Sequence, residues 1–322
     1  MKISDQLLLR IESDLGLNLA FRKGADIPVS NCWHFCTDGN AVDTMFYDEP
    51  DFIDGMNRIF LASRPGVVIL AFALMDTHVH FILYGAYNDC NAFVHEYVRR
   101  TSMQLTRRHD FTRKLRNIPI NCQKIGTDFY LRTAICYVLR NPVAAGLKFM
   151  PYDYPWSSGA LYFRQTGYWT SAHWSEDQAF RNEIKDMSSR ERLALFKTKG
   201  LRADSEVLSD RGLIFPGEYV AVEVVERLFR TCRNFNYLLG ASKEEDMHSI
   251  GFELTRLSVP VQEMRQHRDE LCLELFGRKG IRTLDLVRRM KLARVLRSRF
   301  RCSVKQVSRV CGLVYDEIKD CF

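Results

Sequence analysis

Residues 66–84 read Gly-Val-Val-Ile-Leu-Ala-Phe-Ala-Leu-Met-Asp-Thr-His-Val-His-Phe-Ile-Leu-Tyr. The run predicts two strands, 67–74 and 78–84, joined by Met75-Asp76-Thr77 as an antiparallel hairpin with a short connection. Two imidazoles, His78 and His80, stand two apart in this apolar setting. A strand sends alternate side chains to one face, so both rings point the same way. At a rise of about 3.4 Å per residue they lie about 7 Å apart along the chain. That spacing suits two ligands of one metal ion. Asp76 shares their face if the strand begins two residues earlier, and competes as a third ligand.

Outward from this hairpin, residues 4–14 pattern as a short amphipathic helix capped by Ser4. Residues 32–37 alternate as a strand, and Asp38-Gly39-Asn40 is a turn signal. Pro50 opens a helical stretch that carries Phe52, Ile53, Met56, Ile59, Phe60 and Leu61, with Pro65-Gly66 after it. Residues 91–108 and 128–146 pattern as helices, the second interrupted at Pro142 and closed by Gly146. Strands and helices in this order predict an α+β domain: one antiparallel sheet with helices on one face. Residues 151–156 read as an aromatic, proline-punctuated exit from it.

The expected organisation is a first domain over 1–164, a linker or irregular region over 165–210, and a helical domain over 211–322. Within the last, 218–240, 242–258, 260–276 and 283–300 show helical patterning. Ser303 with Gln306 is a capping-box pattern. The turn Cys311-Gly312-Leu313 between short helical segments predicts a terminal helix-turn-helix.

Residues 137–142, Tyr-Val-Leu-Arg-Asn-Pro, supply what two imidazoles lack. On a helix Tyr137 and Asn141, at i and i+4, share a face. Asn141 can complete a metal site while Tyr137 faces a scissile phosphate. A divalent ion held by imidazoles and one oxygen leaves positions open for phosphate oxygens and acts as a Lewis acid. A phenol is a weak nucleophile unaided, but it can form a covalent phosphotyrosine that stores the bond for rejoining. Pro142 biases Asn141 away from helical geometry. The bland alternatives are a core tyrosine and an Asn-Pro helix end.

The chain has 322 residues, 46% hydrophobic and 12% aromatic, enough for two cores and against general disorder. The opening residues have too short an apolar run for a signal peptide, and no run approaches the length of a membrane span. A soluble, cytoplasmic protein is expected. Ten cysteines without an export signal fit reduced thiols. Cys32-x-x-x-Cys36 with His34 between them has no second Cys/His pair at finger-like spacing, so a zinc site is not expected.

The net charge of +7 is unevenly placed. Between Arg278 and Arg309 twelve Lys/Arg face one acid, Asp285, so that segment carries +11 and the rest about −4. Such asymmetry points to a polyanion-binding module at the C-terminus, against the alternative of a solvated helix face. Arg288, Arg289, Lys291, Lys305 and Arg309 are its candidate DNA contacts. Arg99, Arg100, Arg107, Arg108 and Arg140 are the candidates near the histidines.

The segment Thr77-His78-Val79-His80-Phe81-Ile82-Leu83 resembles the His-hydrophobic-His motif of single-tyrosine HUH transposases. Residues 137–148 with Tyr152-Asp-Tyr-Pro-Trp-Ser-Ser158 are similar to the tyrosine helix and exit signature of the REP-associated tyrosine transposase branch. Trp33-His34-Phe35, Gly39-Asn40, and Phe46 before Asp48-Glu49 resemble that family's opening strand and turn. The likeness covers roughly residues 30–160. It implies a ferredoxin-like sheet, with His78 and His80 binding Mg²⁺ or Mn²⁺ and Asn141 as the additional polar ligand. It also implies that Tyr137 attacks single-stranded, hairpin-bearing DNA, giving a 5′-phosphotyrosine and a free 3′-hydroxyl.

Two other readings compete with this strand transferase. One is a catalytically inactive, host-adopted DNA-binding regulator derived from it. The other is a His-x-His metal hydrolase of barrel type, which the remaining histidines do not fit.

Overall fold

The computed structural model describes residues 3–19, 26–39, 44–109, 117–164, 184–202, 205, 209–210, 212–241, 261–278, 280–300 and 304–318. Helix α1 (Asp5–Asp14) is followed by β1 (Pro28–Thr37), α2 (Glu49–Ala62), β2 (Val68–Leu74), β3 (Val79–Tyr84), α3 (Tyr87–His109), β4 (Ile120–Thr127) and α4 (Asp128–Ala144). The four strands form one sheet in the order β2-β3-β1-β4, every neighbour antiparallel. The protein is therefore α+β, and the expected hairpin is present, with Leu74 opposite Val79.

Local chemistry sets the helix starts. Ser4 caps α1 by accepting from the Leu7 amide. Asp48 caps α2 by accepting from the Asp51 amide at 3.0 Å, and Pro50 sits in the first turn, where a missing N–H costs nothing. Thr127 caps α4 through the Tyr130 amide at 3.2 Å.

Helices cover both faces of the sheet, not one as expected. Phe35 and Phe81, paired across β1 and β3, face α3, where Phe81 meets the rings of Phe93 at 5.4 Å and Tyr97 at 5.1 Å. The alternate residues His34 and His80 face the opposite way, toward Tyr137 of α4. Every residue of β2 and β3 is consequently buried. Apart from His80, both runs are apolar throughout, as a strand covered on both sides requires.

Strand β4 was not expected. It is an edge strand in which Ile125 is the buried residue, so its sequence lacks the apolar alternation that betrays a half-buried strand. Residues 151–156, expected as an exit, instead cover the other edge together with Ser157 and Ser158. The Leu74 amide donates to the Trp156 carbonyl, Ser158 N donates to Phe72 O, and the Tyr154 hydroxyl donates to Leu74 O. Val220 forms a parallel bridge to Ile69, and Ala221 N donates to Ile69 O. An uncovered edge would offer unpaired backbone to other chains, and this one is closed by the protein's own later residues.

Later residues join the same buried core. A short hairpin of β5 (Ser209–Asp210) and β6 (Leu213–Ile214), with helices α5 (Ser189–Phe196), α6 (Val222–Phe229) and α7 (Cys232–Ala241), shares the core of the sheet. Asn57 of α2 shows how. Its amide donates to the carbonyls of Phe196 (2.8 Å) and Gly212 (2.7 Å) and accepts from the Ile214 amide (2.8 Å), all in buried surroundings. The core thus continues to Leu239, past the boundaries expected at 164 and 210. The expected helix over 218–240 is two helices, α6 and α7.

A second buried cluster joins α8 (Val261–Phe276), α9 (Leu286–Phe300), α10 (Val304–Cys311) and α11 (Tyr315–Ile318) around Leu271, Leu292, Leu296, Val307 and Val310. Gly312 ends α10 at φ +63°, a left-handed conformation that glycine takes without strain, so the chain turns into α11. Ser303 and the expected helix over 242–258 lie outside the described residues. Among the described residues no helix is long and apolar enough to cross a membrane.

Candidate active site

The expected partners from β3 and α4 meet. His80 is on β3, and His78 is the residue before its first. Their rings lie 4.8 Å apart, nearly perpendicular. Asn141 Oδ1 is 3.5 Å from His78 Nε2, and the same carboxamide stands near His80. The Tyr137 ring stands edge-on to His80 with centroids 5.7 Å apart. Helix α4 runs through Pro142 to Ala144 rather than breaking there, so Tyr137 and Asn141 do share a helical face. Asp76 is exposed in the turn, and among the described residues its carboxylate forms no ligand cluster with the two imidazoles.

One member was missed. His34 of β1, fully buried, places Nε2 3.0 Å from His80 Nδ1 and its ring 5.9 Å from that of Tyr137. The available signal was the alternation of 32–37, which puts His34 on one face, but nothing in the sequence fixed which face met β3. Gly39 is a second. A Cβ there would lie 3.0 Å from His78 Nδ1 and 3.2 Å from Thr77 Oγ1, so the backbone lies close against the imidazole.

Burial sets the electrostatics. It holds His34 down at about 3 and His78 below the ordinary imidazole value, where Asn141 and the charges of Asp76 and Asp38 partly oppose it. His80 is pushed well down by burial, then by the neighbouring His78 and His34. Burial thus favours the neutral form of all three rings, the form that ligates metals.

The donor set fits a divalent cation. His80 Nε2 is buried and has no hydrogen-bond partner among the described residues. Such an orphan costs about 1–3 kcal/mol unless something else satisfies it. His78 Nδ1 contacts Thr77 Oγ1 at 2.9 Å, which leaves Nε2 facing the Asn141 oxygen. Two imidazole nitrogens and one amide oxygen would hold an ion and leave its other positions open.

Asp48, Asp51 and His109 also bring ligand atoms within 4.8 Å of one another. That cluster already holds a cation: Arg108 pairs with Asp48 at 2.9 Å and with Asp51, and His109 Nε2 lies 2.7 Å from Asp51 Oδ2. It ties the end of α3 to the start of α2.

Tyr137, expected to face a scissile phosphate, is turned into the protein. The residue is 6% exposed and its hydroxyl oxygen is buried. Helix α4 is covered by α6 and α7 from outside the expected first domain. Of the candidate DNA contacts, Arg99 and Arg100 pair with Glu96 at 2.7 and 2.6 Å, and Arg108 is in the clamp. Arg107 is exposed at the end of α3 and Arg140 half-buried on α4. In the second cluster Arg289 donates to the carbonyls of Leu284 and Gly312, Arg288 lies 3.8 Å from Asp285, Lys291 and Arg309 are exposed, and Lys305 lies on α10.

No protein-family model matches this chain, and neither a curated protein nor a solved structure matches it.

Proposed function

We propose that the protein is a metal-dependent DNA strand transferase of the single-tyrosine HUH type, acting on single-stranded, hairpin-bearing DNA. The observation that carries this reading is the meeting of Tyr137, Asn141, His78 and His80, from two parts of the chain far apart in sequence, around the buried Nε2 of His80. The strand-helix-strand-strand-helix-strand order with neighbours β2-β3-β1-β4 supports a ferredoxin-like reading of the sheet.

His78, His80 and Asn141 would hold Mg²⁺ or Mn²⁺, which supplies charge neutralisation at a phosphodiester when bound. Tyr137 Oη forms a bond to the phosphorus as the bond to the 3′ oxygen breaks. The phenol proton ends, net, on the released 3′-hydroxyl. The product is a 5′-phosphotyrosine that the same hydroxyl can reverse. With its hydroxyl buried, Tyr137 meets a phosphate only after α4 shifts or the cover over it opens. The basic C-terminal cluster, with its short helix–turn–helix α10–α11, would dock on duplex or hairpin DNA through salt-sensitive phosphate contacts.

The burial of Tyr137 favours a second reading, an inactive DNA-binding regulator with the same fold. Incubation with labelled hairpin-bearing single-stranded DNA and Mn²⁺, resolved on a denaturing gel, separates the two. The transferase gives a covalent protein–DNA band that Tyr137→Phe abolishes. DNA binding without any band across a broad set of hairpins would establish the regulator instead.

A further inference from the structure

We infer that His34 is a positioning residue that fixes His80 in the tautomer able to bind a metal; this rests on the site proposed above. The geometry is specific. His34 Nε2 lies 3.0 Å from His80 Nδ1, which leaves the buried Nε2 as the His80 nitrogen on the side of Asn141.

A neutral imidazole carries one proton on one of its two nitrogens. If that proton is on His80 Nδ1, it is donated to His34 Nε2, and the lone pair of His80 Nε2 points into the site beside Asn141. If it is on Nε2 instead, that N–H blocks the ligand position. His34 Nε2 must then be the acceptor, which places the His34 proton on its own Nδ1. Metal-bound histidines commonly donate their second nitrogen to a carboxylate or carbonyl, which raises ligand basicity and holds the ring. Here a second imidazole would do that work.

The placement also explains why β1 carries a histidine in its core. His34 is opposite Ile82 and Cys36 is opposite His80, so His34 reaches the His80 ring diagonally from the next strand. A residue that only filled this space could be any apolar side chain of similar size.

The test is Mn²⁺ binding to the full chain, followed by the EPR signal of the free ion, for wild type, His34→Phe, His34→Gln and His80→Ala. Glutamine places its side-chain oxygen the same number of bonds from Cα as the His34 Nε2, so it keeps the acceptor. Wild type and His34→Gln should bind alike, while His34→Phe should bind about 10- to 100-fold more weakly, approaching His80→Ala. Equal binding by His34→Phe would overturn the positioning role while leaving the metal site intact. No binding by wild type would instead remove the metal site itself. Should His34→Phe fail to fold, long-range ¹⁵N–¹H NMR of the histidine-labelled wild type reads the tautomers directly. His80 protonated on Nδ1 is expected, and His80 protonated on Nε2 would overturn the inference.

Discussion

The side-chain amide of Asn141 donates to the backbone carbonyl of Tyr137, one turn earlier on α4, at 3.2 Å. This bond orients the carboxamide. With Nδ2 committed to the helix, Oδ1 is turned to His78, so the proposed nucleophile and the proposed oxygen ligand form one unit. It also holds the turn in which Pro142 removes a backbone donor.

Asn141→Leu, which removes the oxygen at similar volume, should weaken Mn²⁺ binding at least about tenfold, whereas Asn141→Asp should retain it because an oxygen stays in place. Calorimetric titration of the two variants checks this. Equal affinity of Asn141→Leu and wild type would remove Asn141 from the ligand set.

Gly39→Ala should displace His78, since the added Cβ meets the imidazole at 3.0 Å and Thr77 Oγ1 at 3.2 Å. The expected result is a several-fold loss of Mn²⁺ affinity with little change in melting temperature. A wild-type affinity would mean that the turn yields and the ring does not.

Arg107 and Arg108 are neighbours in sequence with opposite expected effects. Arg108→Ala opens the clamp on Asp48 and Asp51, so it should lower the melting temperature. Arg107→Ala should leave stability within about 0.5 kcal/mol. It should instead reduce the salt slope of DNA binding by about 1. Fluorescence anisotropy at several salt concentrations, with thermal melts, distinguishes the two.

Glu96 provides a pH test. Its bonds to Arg99, then Arg100, hold its carboxyl at about 2, below the ordinary value of 4.5. A depressed folded-state value stabilises the fold above about 4.5, and that contribution is lost as pH falls through about 2. The difference in urea midpoint between wild type and Glu96→Gln should therefore be present at pH 7 and shrink steadily below pH 4.5. A difference that stays constant down to pH 2.5 would contradict the pairing.

The legible parts of this chain are those whose periodicity and burial agree. The hairpin of β2 and β3, the shared helical face of Tyr137 and Asn141, the capped start of α1 and the proline-marked start of α2 follow from local sequence alone. The same apolar runs that revealed β2 and β3 also carried, unread, the information that helices cover both faces. Strand β4 stayed hidden because an edge strand with one buried side chain has little pattern to see. Asn57 could not be placed, because its three partners at 196, 212 and 214 are far along the chain. His34 was visible as a histidine on a strand, but its role depends on the register that puts Cys36 opposite His80. The burial of Tyr137 follows from its place between α4 and the sheet, against the rings of His34 and His80, which no local pattern reveals.

The most direct test is to map the linked residue. After reaction with hairpin-bearing single-stranded DNA and Mn²⁺, nuclease trimming and tryptic digestion should leave a nucleotide mass on the peptide spanning residues 133–140, with fragmentation assigning it to Tyr137. A nucleotide on another side chain such as Tyr130 or Tyr154, or a covalent complex that persists in Tyr137→Phe, would contradict the account.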